Sequence, residues 1–144
     1  MRQILVDLAK CKGCRQCEKA CSNAHSATIT GDSKPISRVK VLFTKSENGK
    51  KGSPYPMRCH QCEFPKCAEA CMSGALIKTK NGIVIHEDER CVGCWMCVMT
   101  CPYGAVFRDV QRKVVVKCDT CLAEETPACV AVCKFDAMRI EESE

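Results

Sequence analysis

Apolar residues in this chain come in short, separated runs. Residues 3–8 (QILVDL), 38–44 (RVKVLFT), 75–78 (ALIK), 83–86 (IVIH), 105–108 (AVFR), 113–117 (KVVVK) and 137–141 (AMRIE) are rich in branched aliphatic side chains. Their length and make-up predict strands rather than helices. TKNG at 79–82 joins two of these runs as a hairpin turn, and a second turn separates 105–108 from 113–117. Residues 22–58 break the rhythm. They hold one strand candidate, at 38–44, and a polar stretch, KSENGKKGS at 45–53, that reads as an exposed loop. A connection of that length suits a partner-specific surface. No run approaches the roughly 18 apolar residues of a membrane span.

Cysteines fill the spaces between the runs. All 16 fall into four groups of four. Group one is Cys11, Cys14, Cys17 and Cys21; group two is Cys59, Cys62, Cys67 and Cys71. Group three is Cys91, Cys94, Cys97 and Cys101; group four is Cys118, Cys121, Cys129 and Cys133. Every group opens C-x2-C and closes C-x3-C, with a middle gap of two, four, two or seven residues. Groups one and three share the compact form. Groups two and four share the wide gap, with Pro65 and Pro127 two positions before the third cysteine. This alternation reads as the duplication of a two-group unit. Each C-x3-C tail is expected to begin a short helix with its two cysteines on one face.

The cysteines change the reading of the composition. The chain has 144 residues and is 46% hydrophobic, but without the cysteines only about a third of it is apolar, a thin core. Whatever the cysteines bind must supply part of the interior. Group three, followed by Pro102, is the C-x2-C-x2-C-x3-C-P run of bacterial [4Fe–4S] ferredoxins. Structural zinc sites instead combine two Cys pairs separated by a dozen or more residues, and disulfides do not suit a cytoplasmic protein. Four [4Fe–4S] clusters, ligated by all sixteen cysteines, are therefore expected. Each oxidised cluster with its thiolates carries about −2, which takes the formal +5 to about −3. The basic balance is thus no nucleic-acid signal, and no nucleic-acid motif accompanies it. The opening MRQILVDLAKC has neither an apolar signal core nor a twin-arginine pair, so a cytoplasmic protein is expected.

In two-cluster ferredoxins the fourth cysteine of one run ligates the other cluster, so the groups must pair. The hairpin between groups two and three favours pairing those two. It would give one cluster from Cys59, Cys62, Cys67 and Cys101 and another from Cys91, Cys94, Cys97 and Cys71. Groups one and four would then give Cys11, Cys14, Cys17 with Cys133, and Cys118, Cys121, Cys129 with Cys21. Pairing one with two and three with four matches the duplication more literally, and the residues leave both open.

The four-group layout, the wide gap in group four and the long segment after group one resemble the electron-transfer subunits of the dimethyl sulfoxide reductase and formate dehydrogenase type. The resemblance spans the whole sequence. It implies the nested pairing, and Cys94, replaced in some relatives, is present here, so it implies four cubanes. The implied fold is α+β and ferredoxin-like, with two pseudo-symmetric dicluster halves built from short hairpins and short helices. One half would be 1–56 plus 108–144, with 57–107 inserted as the second. The implied function is single-electron transfer between a catalytic oxidoreductase subunit and a second redox protein. The shortness of the sequence resembles the iron–sulfur subunits of carbon monoxide dehydrogenase, hydrogenase or tungsten aldehyde oxidoreductase, and the resemblance adds a formate dehydrogenase type as a candidate catalytic partner. A free polyferredoxin, a redox-sensing module and a zinc-stabilised interaction protein are the alternatives, and a homo-oligomer is compatible with the sequence.

The remaining polar and aromatic residues have simpler readings. Trp95 is expected to shield a cluster. His25, His60 and His86 are not needed as ligands, and His60 should pack around a ligand cysteine. Lys12, Arg15, Lys66, Arg90 and Lys117 should be solvated charges, and Pro65, Pro102 and Pro127 should fix turns. No nucleophile–base set and no phosphate loop is present, so no catalytic residue is expected.

Overall fold

The computed structural model describes residues 2–26 and 34–143. Part of the long 22–58 segment therefore lies outside the described residues. Among the described residues there are four antiparallel strand pairs, four short α-helices and a 3-10 turn at Asp88–Arg90. Strand β1 (Arg2–Val6) pairs with β8 (Met138–Glu142), opposing Ile4 to Ile140 and closing the two ends of the fold on each other. Expected at 3–8, β1 stops at Val6 because the Asp7 carboxylate accepts the Ala9 N–H at 3.1 Å and turns the backbone. The two expected hairpins are β4 (Leu76–Lys78) with β5 (Val84–His86), and β6 (Val106–Asp109) with β7 (Val114–Lys117).

The polar stretch at 45–53 departs from expectation. Residues 46–50 turn, and β3 (Lys51–Arg58) then runs back along β2 (Val39–Lys45). Pro54 and Pro56 hide this strand from a sequence reading. They are tolerated because of their register: Pro56 lies opposite Val41, and the Val41 N–H points away from the pair to donate to Glu18 Oε1 at 2.5 Å. Directly opposed residues of this kind exchange no ladder bond, so the missing proline N–H is never needed. Pro54, opposite Phe43, repeats the position two residues earlier.

The helices are α1 (Gln16–Ala24), α2 (Lys66–Glu69), α3 (Met96–Thr100) and α4 (Ala128–Val132). Only α1 holds both cysteines of its C-x3-C tail. In α3 and α4 the last cysteine, Cys101 or Cys133, sits at the C-cap with extended ψ of 114° or 105°, and Cys71 lies beyond α2. The expected shared helical face therefore applies to Cys17 and Cys21 alone. The other tails end their helix and aim the final cysteine elsewhere.

Two cores follow. Ile4, Cys21, Val39, Cys129 and Met138 form one, joining α1, α4, β1, β8 and β2. Leu76, Val84, Cys97, Val106 and Val115 form the other, joining the two hairpins to α3. A boundary at 107/108 falls inside β6, and both strands of that hairpin supply the second core.

The β6–β7 turn is closed by Asp109, which is 3% exposed and accepts the Arg112 N–H at 3.1 Å and the guanidinium at 2.7 Å. Burial opposes its charge, but the bonds and charge of Arg112 outweigh burial and hold its pKa below the ordinary value. A depressed folded pKa contributes stability that is present above the ordinary carboxylate pKa and is lost as the pH falls through the folded value. Asp109→Asn should therefore lower stability by about 1–3 kcal/mol. Because that loss begins only below about pH 4, the deficit in thermal unfolding of the loaded protein should stay constant between about pH 5.5 and 8.

Candidate metal centres

Each C-x2-C loop is bent by one left-handed residue directly before its second cysteine: Gly13 (φ 71°), Gln61 (50°), Gly93 (68°) and Thr120 (60°). The bend turns backbone N–H groups towards sulfur. Gln61 and Thr120 donate theirs to the Sγ of Cys59 and Cys118, each at 3.4 Å. Space also demands glycine in the compact groups. A Cβ at Gly93 would lie 2.5 Å from the Lys113 carbonyl oxygen, and one at Gly13 would lie 2.9 Å from the Phe43 ring. Arg15 and Trp95, left-handed as well at 61° and 62°, then lead into α1 and α3.

The loops and helix ends gather the cysteines into sets that cross between groups. Cys11, Cys14 and Cys17 share one cavity with Cys133, walled by Val41, Pro56 and Met138. Cys118, Cys121 and Cys129 share another with Cys21, walled by Ile4, Val39 and Pro127. Cys91, Cys94 and Cys97 share a third with Cys71, beside Leu76, Trp95 and Val115. Cys59, Cys62, Cys67 and Cys101 form a fourth neighbourhood. Burial raises the pKa of both Cys62 and Cys67, and the charges of Cys59 and Cys101 raise them further.

These surroundings suit a cationic inorganic core. Burial, followed by the crowding of neighbouring sulfurs, pushes the Cys129 thiol to about 12. Burial likewise pushes Cys118 to about 12 and Cys17 and Cys97 to about 11. Thiols raised in this way cannot ionise beside an apolar cavity unless iron compensates their charge.

Polar groups around the cavities are more built than the sequence suggests. Burial opposes the Cys21 thiolate, but hydrogen bonds from the His25 ring and the Arg38 N–H (3.2 Å) hold its pKa below the ordinary value. Asp119 secures both partners, His25 at 3.8 Å and Arg38 at 3.3 Å. His60 stacks on Tyr103 at 4.0 Å, and the His86 ring meets Asp88 at 2.9 Å. Trp95 packs against the second core, and Pro65 and Pro127 precede α2 and α4.

Lys117 corrects the expectation of a solvated charge. It is 3% exposed, and its Nζ donates to the Val84 carbonyl at 2.6 Å and the Cys118 carbonyl at 3.0 Å. Gln61, which sequence reasoning passed over, completes the knot. Its side-chain amide donates to the Cys118 carbonyl at 2.7 Å, and its carbonyl accepts the Val84 N–H at 2.8 Å. Group two, group four and the β4–β5 hairpin are thus tied together by one buried polar cluster. Lys12, Arg15, Lys66 and Arg90 are exposed, as expected.

The glycine requirement makes a direct prediction. Gly93→Ala should remove about one cluster's iron and sulfide from the purified protein. Gly74→Ala, also at positive φ (71°) but with nothing within 4 Å of the added Cβ, should keep the full complement. Iron and sulfide analysis of the two variants reads the difference.

Comparison with known proteins identifies the family. Residues 50–143 match the family described as the 4Fe–4S dicluster domain. The putative electron transport protein YsaA of Escherichia coli (strain K12) is 37% identical, over 96% of this chain and 88% of its own. The thiosulfate reductase electron transfer subunit PhsB of Salmonella typhi is 33% identical, over 98% and 77%. A subunit of the anaerobic dimethyl sulfoxide reductase of Escherichia coli (strain K12) is 32% identical, over 94% and 70%. Among solved structures, the active-site complex BamBC of benzoyl-coenzyme A reductase with benzoyl-CoA contains a polypeptide with a TM-score of 0.55 and 27% identity, covering 98% of this chain and 79% of that one. No helix among the described residues is long and apolar enough to cross a membrane. The protein belongs to the 4Fe–4S dicluster family and is an electron-transfer iron–sulfur protein, whose cofactors are four [4Fe–4S] clusters.

Proposed function

We propose that this protein is the electron-transfer subunit of a cytoplasmic oxidoreductase complex and that each cavity holds one cluster. Cys11, Cys14, Cys17 and Cys133 ligate the first; Cys21, Cys118, Cys121 and Cys129 the second. Cys59, Cys62, Cys67 and Cys101 ligate the third; Cys71, Cys91, Cys94 and Cys97 the fourth. The observation carrying this reading is the crossing itself: three cavities each combine three cysteines of one group with the last cysteine of another. Two dicluster halves follow, one built on groups one and four and the other on groups two and three.

A [4Fe–4S] cluster held by four thiolates takes up and releases one electron. The protein's own residues fix the sulfurs, exclude water with aliphatic walls, and set local charge through Arg38, Arg58 and Lys117. The names of the relatives support a catalytic reductase partner; within that class, the resemblance points to the carbon monoxide dehydrogenase, aldehyde oxidoreductase, hydrogenase or formate dehydrogenase type. A second redox protein completes the path.

Anaerobic purification should yield about 16 iron atoms per protein molecule. Cys133→Ser should alter the spectrum of the cluster held by Cys11, Cys14 and Cys17 and leave that of the cluster held by Cys118, Cys121 and Cys129 unchanged. Electron paramagnetic resonance of the reduced variant reads which of the two changes.

A further inference from the structure

Only Cys14 and Cys94 are exposed among the sixteen cysteines. They lie in different halves, and their surroundings differ in kind. Near Cys94 the exposed side chains are apolar: Val92 at 70%, Met96 at 42% and Met99 at 79% exposure. The residues leading into that loop are acidic, Glu87, Asp88 and Glu89, with one cation, Arg90, paired to Glu87 at 3.0 Å.

Cys14 has the opposite character. Lys12 and Arg15 flank it and line the same cavity. The Phe43 ring of β2 lies against Gly13. Over that ring stand the Arg15 guanidinium at 5.8 Å and the Lys51 ammonium at 5.1 Å. The β2–β3 hairpin thus adds a third cation to the two that flank the cysteine. Lys19, Lys45, Lys50 and Lys134 are exposed farther out on α1, on the same hairpin and beside Cys133. The nearby acids are largely engaged. Glu18 accepts the Val41 N–H at 2.5 Å and faces Arg15 at 3.5 Å, while Asp7 faces Lys10 at 3.9 Å. Asp136 and Glu47 are the exposed acids that remain in this region among the described residues.

We propose that the Cys14 loop is an electron port for an acidic protein carrier, steered and held by Lys12, Arg15 and Lys51. The proposal rests on the electron-transfer reading above and adds the chemistry of one partner. The loaded protein is net negative, so its overall charge repels an acidic carrier. Attraction must come from this local collar, which surrounds one of the two most exposed cysteines. A small, charge-guided contact of this kind suits a transient redox encounter, and its rate falls as salt screens the charges.

An acidic flavodoxin reduced to its hydroquinone is a suitable probe. In the transfer the anionic hydroquinone loses one electron to become the neutral semiquinone, and the oxidised iron–sulfur protein gains that electron. Stopped-flow mixing at low salt compares wild type with two variants of equal charge change. Lys12→Glu/Arg15→Glu/Lys51→Glu should slow the second-order reduction by about tenfold or more. Lys66→Glu/Lys80→Glu/Arg108→Glu, which reverses exposed cations elsewhere, should stay within about twofold of wild type. A collar variant that reacts like wild type, or a control that slows as much as the collar variant, overturns the proposal. If the collar variant loses its clusters, the milder Lys12→Gln/Lys51→Gln should still slow the reaction about threefold, and no change there overturns the proposal. Photoreduced 5-deazaflavin, which needs no docking surface, should reduce all loaded forms alike. Failure of that step in wild type would instead remove the electron-transfer reading.

Discussion

The energetic problem in this protein is the burial of sulfur that must carry charge. Each cavity turns four cysteines inwards, and in the free-thiol state burial drives Cys118 and Cys129 to about 12 and Cys17 and Cys97 to about 11. No nearby side chain could neutralise four thiolates per cavity. The structure places the buried Lys117 and the half-buried Arg58 between groups two and four. Iron has to supply the rest. Folding and cluster loading are therefore coupled, and Cys21, Cys97 and Cys129 sit inside the two hydrophobic cores as packing residues as well as proposed ligands.

The backbone follows from the same demand. A left-handed residue before each second cysteine folds the C-x2-C loop around its cavity and aims a backbone N–H at the Sγ of Cys59 and of Cys118. The helices that follow are short because they must end. An extended residue at Cys101 and Cys133 carries the last sulfur away from its own loop towards the neighbouring set. Under the proposed ligation that crossing binds two groups into one half, while the Gln61–Lys117 knot ties group two and the β4–β5 hairpin to group four.

Much of this was legible in sequence because it is local. Cysteine spacing fixes the loop type, and the branched aliphatic runs around TKNG fix a hairpin within a residue or two. Strand β3 was hidden since its two prolines normally exclude a strand, and only the register with Val41 shows why they are tolerated. Lys117 was misjudged because a lysine is ordinarily solvated, whereas here two carbonyls from different segments accept its protons. Gln61 carries a weak signal, a bulky residue where the compact groups place glycine. The identity of its partners depends on how distant segments pack. The pairing of the groups was open for the same reason: two arrangements satisfy one spacing.

Counting clusters lost by pairs of substitutions tests the crossing most directly. Two ligands of one cluster remove that cluster once; ligands of two clusters remove both. Cys71→Ala/Cys94→Ala should retain about 12 iron atoms per protein molecule, and Cys71→Ala/Cys62→Ala about 8. The reverse order would show that Cys71 belongs with its own group, and the crossed arrangement would be wrong.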